Sequence, residues 1–137
     1  MRFIYDDGGR ENYFKGKNVG DCAVRAIAIA LERDYKQVYD DLKKLNNGES
    51  CRNGTPRKVW KKYLTQNGWH ALSGICEIGQ DYKLHICDDD LKHYINNYDT
   101  MILKVSKHLT TIKNGVLRDT YDSSRDGSRM IYQIWVK

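Results

Sequence analysis

The chain has 137 residues, with 23 basic and 18 acidic side chains, a formal net charge of +5, one proline and four cysteines. A chain of this length forms one domain that removes roughly two-thirds of its unfolded surface from water, so it can hold a core without disulfide or metal staples. Composition excludes a membrane span, because no segment approaches the ~18 apolar residues needed, and the N-terminal stretch "MRFIYDDGGRENYF" lacks the layout of a secretory signal.

A soluble cytoplasmic protein is therefore expected, with Cys22, Cys51, Cys76 and Cys87 as free thiols, since they form no CxxC pair. Nothing in the sequence divides it, so residues 1–137 are read as one unit with helices first and strands last. Asp21 is placed to cap a first helix, in which Val24, Ile27, Ala28 and Leu31 recur at i, i+3, i+4, i+7. With Ile29 and Ala30 also apolar, this helix is expected to be central and buried nearly all round.

Asp34 can cap a second helix carrying Tyr35, Val38, Tyr39 and Leu42, which Asn46-Asn47-Gly48 would stop. Thr55 as N-cap and Pro56 at the first helical position open a third, burying Val59, Trp60, Tyr63 and Leu64 and ending at Asn67-Gly68. Strands are expected at 69–75 and 82–87, then a short helix over "DDDLKHYI". Further strands follow at 100–106 and 130–136, with "HLTTIKNGVLRDTY" between them forming a hairpin around Asn114-Gly115.

That hairpin permits geometry. A two-residue turn pairs Lys113 with Val116, Thr110 with Asp119 and His108 with Tyr121, and puts 108, 110 and 112 on one face with 117, 119 and 121. His108 and Asp119 then become diagonal neighbours on the order of 7 Å apart at Cβ, within reach of an imidazole–carboxylate hydrogen bond.

Cys22 stands where a loop ending Gly-Asp enters the first helix. First-turn N–H groups and the positive end of the helix dipole stabilise a thiolate. A thiolate beside an imidazole that a carboxylate orients is an acyl-transfer nucleophile. Cys22, His108 and Asp119 supply those parts in chain order. The plainer alternative is a small buried core cysteine, and the adjacent Asp21 carboxylate works against a low thiol pKa.

"NVGDCAVRAIAIAL", "KHLTTIKNGV" and "LRDTYD" together resemble the papain-like thiol hydrolase superfamily. They are most similar to small Cys-His-Asp peptidases of the bacteriocin-leader type and to uncharacterised phage proteins. The resemblance implies an α+β, papain-like fold in which N-terminal helices, with a central Cys-bearing helix, pack on a C-terminal antiparallel sheet. It implies a thiol-dependent peptidase or amidase acting on an amide or ester carbonyl of a peptide or protein, with no cofactor.

The family's glutamine before the cysteine falls at Gly16 here. Asn18 is the nearest side-chain amide, either an oxyanion donor beside the Cys22 N–H or a loop residue. Tyr121 resembles the aromatic that shields the His-acid pair in this superfamily, and is equally readable as sheet packing. Transglutaminase-type acyl transfer would use the same residues. A catalytically weak module of this fold, binding a host protein or nucleic acid, is the reading from another class.

Arg25, in an apolar helix, must be paired, either in an internal ion pair or as support for the thiolate or a substrate carboxylate. Arg52, Arg57, Lys58, Lys61 and Lys62 form the one dense basic run. A solvated helix face accounts for it, and nucleic-acid binding through it is the sharper alternative. Cys76, His85, Cys87 and His93 lack the spacing of a structural zinc module, so no metal is expected.

Overall fold

Helix α1 (Cys22–Leu31) is the centre of the molecule: every residue from Ala23 to Ala30 is buried, Arg25 included. Its alanines at 23, 26, 28 and 30 let neighbouring elements approach closely on several sides. The computed structural model describes residues 1–15 and 20–137, so Gly16 and Asn18 lie outside the described residues. Helix α2 (Tyr35–Leu45) begins at Asp34, whose carboxylate accepts the Gln37 N–H at 3.3 Å. It stops where Asn47 and Gly48 take φ of 56° and 84°, left-handed values that end a helix.

Helix α3 (Arg57–Gln66) buries Val59, Trp60, Tyr63 and Leu64. Pro56 occupies its N-cap position, one residue earlier in the helix than its expected place, and Thr55 does not cap. Helix α4 (Asp88–Asn97) is preceded by Cys87, and its first turn holds Asp88, Asp89 and Asp90, which favour that end of the helix dipole without capping it.

Six strands form one sheet. They are β1 (Phe3–Tyr5), β2 (His70–Ala71), β3 (Thr100–Val105), β4 (His108–Lys113), β5 (Val116–Asp119) and β6 (Gln133–Val136). Their order is β1-β5-β4-β3-β6-β2. All neighbours are antiparallel except β1 and β5, which run parallel with Phe3 against Leu117 and Tyr5 against Asp119. The fold is α+β, and the sheet is mixed where an antiparallel C-terminal sheet was expected. The difference comes from "FIY", too short for a periodic signal, whose partner lies far along the chain.

Two other strands shrink. Of 69–75 only His70–Ala71 pairs, because Gly74, Cys76 and Gly79 take positive φ and the Glu77 and Gln80 side chains close a turn on the Gly74 backbone. Residues 82–87 contribute a single bridge, His85 to Met130. There the Asp90 carboxylate accepts the His85 N–H and the Tyr82 hydroxyl, bonds that replace a strand ladder. The last strand starts at Gln133 and lies inside the sheet between β3 and β2.

Two apolar clusters sandwich the sheet. One joins α1, α2 and α3 to Ile102, Leu109 and Trp135; the other joins α4 to Met101, Leu103, Val105, Ile112, Leu117 and Ile134. Three ties align α1 with β4: Cys22 meets His108, the Thr111 hydroxyl donates to the Ala26 carbonyl at 2.7 Å, and Lys113 pairs with Glu32 just past the helix end. The helix therefore runs along β4 with its N-terminus at the strand's first residue.

Candidate active site

The Asn114-Gly115 turn has φ of 52° and 76°, both positive as a two-residue type I′ hairpin turn requires. The strands it joins pair Lys113 with Val116, Ile112 with Leu117 and Thr111 with Arg118. One step further along this register sets Thr110 against Asp119. At the open end of the hairpin the His108 Nε2 lies 2.6 Å from Asp119 Oδ2, and both residues are buried.

Asp119 is held from all sides. Its Oδ2 also accepts the Thr110 hydroxyl at 2.7 Å and the Ser123 hydroxyl at 3.0 Å, and its Oδ1 accepts the Thr120 N–H at 2.7 Å. The Arg25 guanidinium is 3.8 Å from the same Oδ1. Burial pushes the Asp119 carboxyl up, but the His108 contact and these donors outweigh it and hold it below the usual range. A carboxylate so satisfied stays ionised and fixes the imidazole that it touches.

Cys22 is the first residue of α1 and only half-buried. Burial pushes its thiol up; the hydrogen bond and charge of His108, the Leu109 N–H and the Arg25 charge outweigh burial and leave the thiol below its ordinary value. His108 moves the opposite way. Burial lowers it, and the hydrogen bonds to Asp119 and Cys22 more than compensate, so it is raised. A lowered thiol against a raised imidazole favours the thiolate–imidazolium pair. Because Nε2 is taken by Asp119, Nδ1 is the ring nitrogen open to Cys22.

Asp21 does not act as expected. It sits at the N-cap position of α1 but its side chain caps nothing, and its carboxylate is fully buried. Oδ1 pairs with Arg25 and lies 3.4 Å from Arg10, and Oδ2 accepts the Tyr35 hydroxyl at 2.5 Å. Its negative charge is balanced by two guanidinium groups, and the thiol beside it is lowered where a bare carboxylate would raise it. Tyr35 is pushed far above its ordinary value by burial and by that bond.

Arg25 pairs internally with Asp21, lies 3.8 Å from Asp119, and its charge is among those that lower the Cys22 thiol. The Tyr121 ring, exposed on one side, lies 5.3 Å from the His108 ring at 45°. A cleft of about 510 Å³ opens beside Cys22 and His108, with Trp60, Arg57, Lys104 and Tyr121 among its walls.

The basic run does not form one face. Arg52 lies over the Phe14 ring and donates to the Lys15 carbonyl, Arg57 borders the cleft, Lys61 lies over Trp60, and Lys58 and Lys62 are exposed. Among the described residues, no three His, Cys, Asp or Glu side chains converge as metal ligands, and His85 bonds Asp90. No helix among them is long and apolar enough to cross a membrane.

The hairpin register places Thr110 opposite Asp119 and on its face, but not the hydroxyl bond that it gives the carboxylate. Ser123 and the Leu109 N–H had no local signal, since each reaches the site through a loop or a neighbouring strand. Compared with known protein families, curated proteins and solved structures, the chain finds no match.

Proposed function

We propose that this chain is a thiol-dependent hydrolase of papain-like type that cleaves an amide or ester bond of a peptide or protein. The observation that carries the reading is the chain of contacts from Cys22 to His108 to Asp119, in which a lowered thiol meets an imidazole fixed by a buried, fully bonded carboxylate. Structural cysteines seldom carry such an arrangement; nucleophilic ones need it.

In the proposed reaction the Cys22 thiolate attacks the carbonyl carbon, and the C=O electron pair moves to oxygen. The backbone N–H of Cys22, at the open N-terminus of α1, is the proposed donor to that oxyanion, with Asn18 as a candidate second donor. Collapse expels the leaving group, which takes the proton from His108. The thioester is then attacked by water, His108 accepting the water's proton, and collapse releases the acid and restores the thiolate beside the imidazolium. An amine in place of that water gives acyl transfer by the same residues.

The test is hydrolysis of a small activated ester, with acyl-enzyme trapped by acid quench and located by mass spectrometry. The expected result is acylation of Cys22, lost in Cys22→Ala and in His108→Ala with the fold retained. Turnover that survives Cys22→Ala overturns the mechanism.

A further inference from the structure

The cleft beside Cys22 is one-sided in charge. Arg57 at the start of α3, Lys104 on β3 and Lys107 in the β3–β4 turn all line it, and no aspartate or glutamate does. The same three cations line a second hollow of about 370 Å³ that continues past the turn toward Cys76 and Tyr132, again without an acid. Among the described residues no carboxylate forms an ion pair with any of the three.

Arg57 and Lys107 are exposed, so the lack of a counter-charge bears mainly on Lys104. Lys104 is half-buried and, among the described residues, its ammonium donates to the Val105 carbonyl alone, at 2.5 Å. Burial and the nearby Arg57 push its pKa down, against the pull of Cys22. Other cations set into the fold have a carboxylate beside them: Arg10 and Arg25 share Asp21, Lys113 meets Glu32 and Arg118 meets Asp6. Unpaired like charges that converge on a cleft draw an opposite charge into it.

We propose that the substrate carries an anionic group close to its scissile carbonyl, and that Arg57, Lys104 and Lys107 bind it. The inference rests on the reading of Cys22 as the nucleophile and names its substrate class: an acyl compound with a carboxylate or a phosphate beside the bond that breaks. Trp60, nearly all of it buried, also borders the cleft.

Two alkylating reagents that differ by one charge test it. In both, the Cys22 sulfur displaces iodide from a CH2 group; iodoacetate brings a carboxylate and iodoacetamide does not. The iodoacetate-to-iodoacetamide rate ratio at Cys22, relative to free cysteine, should be raised by about tenfold at low salt. Lys104→Gln with Arg57→Gln should cut the iodoacetate rate more than the iodoacetamide rate, and 0.5 M salt should do the same.

A second measurement keeps the two readings apart. Cys22→Ala protein is titrated with three peptides identical but for one Glu, Gln or phosphoserine. Tighter binding of the Glu or phosphoserine peptide than of the Gln peptide, lost in the double variant, supports the anion site, and the tighter of the two names the anion. Equal binding of all three, with a Cys22 ratio equal to that of free cysteine, overturns the anion proposal. Fast labelling of Cys22 at that free-cysteine ratio overturns it while the nucleophile stands. Inert Cys22 with preference for an anionic peptide overturns the nucleophile and leaves the anion site.

Discussion

His108 and Asp119 meet at 2.6 Å through Nε2 and Oδ2 at the open end of a hairpin, and this bond sets which face of the imidazole is offered to Cys22. The ring is held by one nitrogen and works through the other. Nearly every residue around the pair serves one of those two ends.

The pH dependence of alkylation at Cys22 should follow from that arrangement. The thiol is lowered chiefly by His108 against the opposing effect of burial. Iodoacetamide labelling resolved by mass spectrometry should therefore proceed at Cys22 well below the ~8.5 of a free thiol, and no longer do so in His108→Ala. A Cys22 profile that matches Cys51 or that ignores the loss of His108 contradicts the assignment.

Removing the carboxylate should disable the imidazole without emptying the site. Asp119→Asn keeps the shape but cannot hold the imidazolium, and turnover should fall by about 10²- to 10⁴-fold. Thr110, Ser123 and the Thr120 N–H all lose their charged acceptor, so the variant should also denature at lower urea. Wild-type turnover in Asp119→Asn would refute the orienting role.

The same pair makes stability depend on pH in two windows. Asp119 is depressed in the folded state, so its contribution is present above its unfolded pKa of about 3.9 and is lost as pH falls through the lower folded value. His108 is raised, so its contribution is full below about 6.5 and is lost as pH rises through the higher folded value. The urea-midpoint difference between the wild-type and His108→Ala proteins should shrink from pH 6 towards alkaline pH. A constant difference would mean that Asp119 and Cys22 together do not favour the charged form of His108.

Asp21 should prove more important to stability than an N-cap. Asp21→Ala removes a buried partner of Arg25 and the acceptor of the Tyr35 hydroxyl, and should cost about 3–5 kcal/mol. Freed from Asp21, the Arg25 guanidinium lies 3.8 Å from Asp119 and competes with His108 for that carboxylate. Tyr35→Phe, which removes only one bond, should cost about 1–3 kcal/mol in urea unfolding. Equal small costs for both would place Arg25 with some other partner.

The hairpin turn is a remote control on the site. Gly115 has φ of +76° and an added Cβ would stand 3.4 Å from Ile95 Cγ2. Gly115→Val should therefore cost about 1–2 kcal/mol. Because the turn sets the pairing of Thr110 with Asp119, a one-residue register shift would turn the carboxylate to the other face of the sheet. The check is whether the Cys22 labelling profile changes along with the unfolding midpoint.

Much of this was present in local sequence. The stripes of α1, α2 and α3 arise from apolar spacing that a helix must bury, whatever lies opposite. Asn114-Gly115 fixes its own turn by demanding positive φ twice, and through it the meeting of His108 with Asp119. Those are short-range constraints, settled within a few residues by backbone sterics.

What tertiary structure alone decided has partners far apart in the chain. Strand β1 exists because the edge of β5 offers it a ladder, and Asp21 turns from cap to counter-ion because Arg10 and Tyr35 are brought against it beside its helical neighbour Arg25. The basic cleft joins cations from α3, β3 and the β3–β4 turn that no sequence window contains. Periodicity reports which face of an element must be buried. Which carboxylate, strand or cation waits on the other side depends on the path of the whole chain, where Coulombic and hydrogen-bond energies act through space regardless of sequence separation.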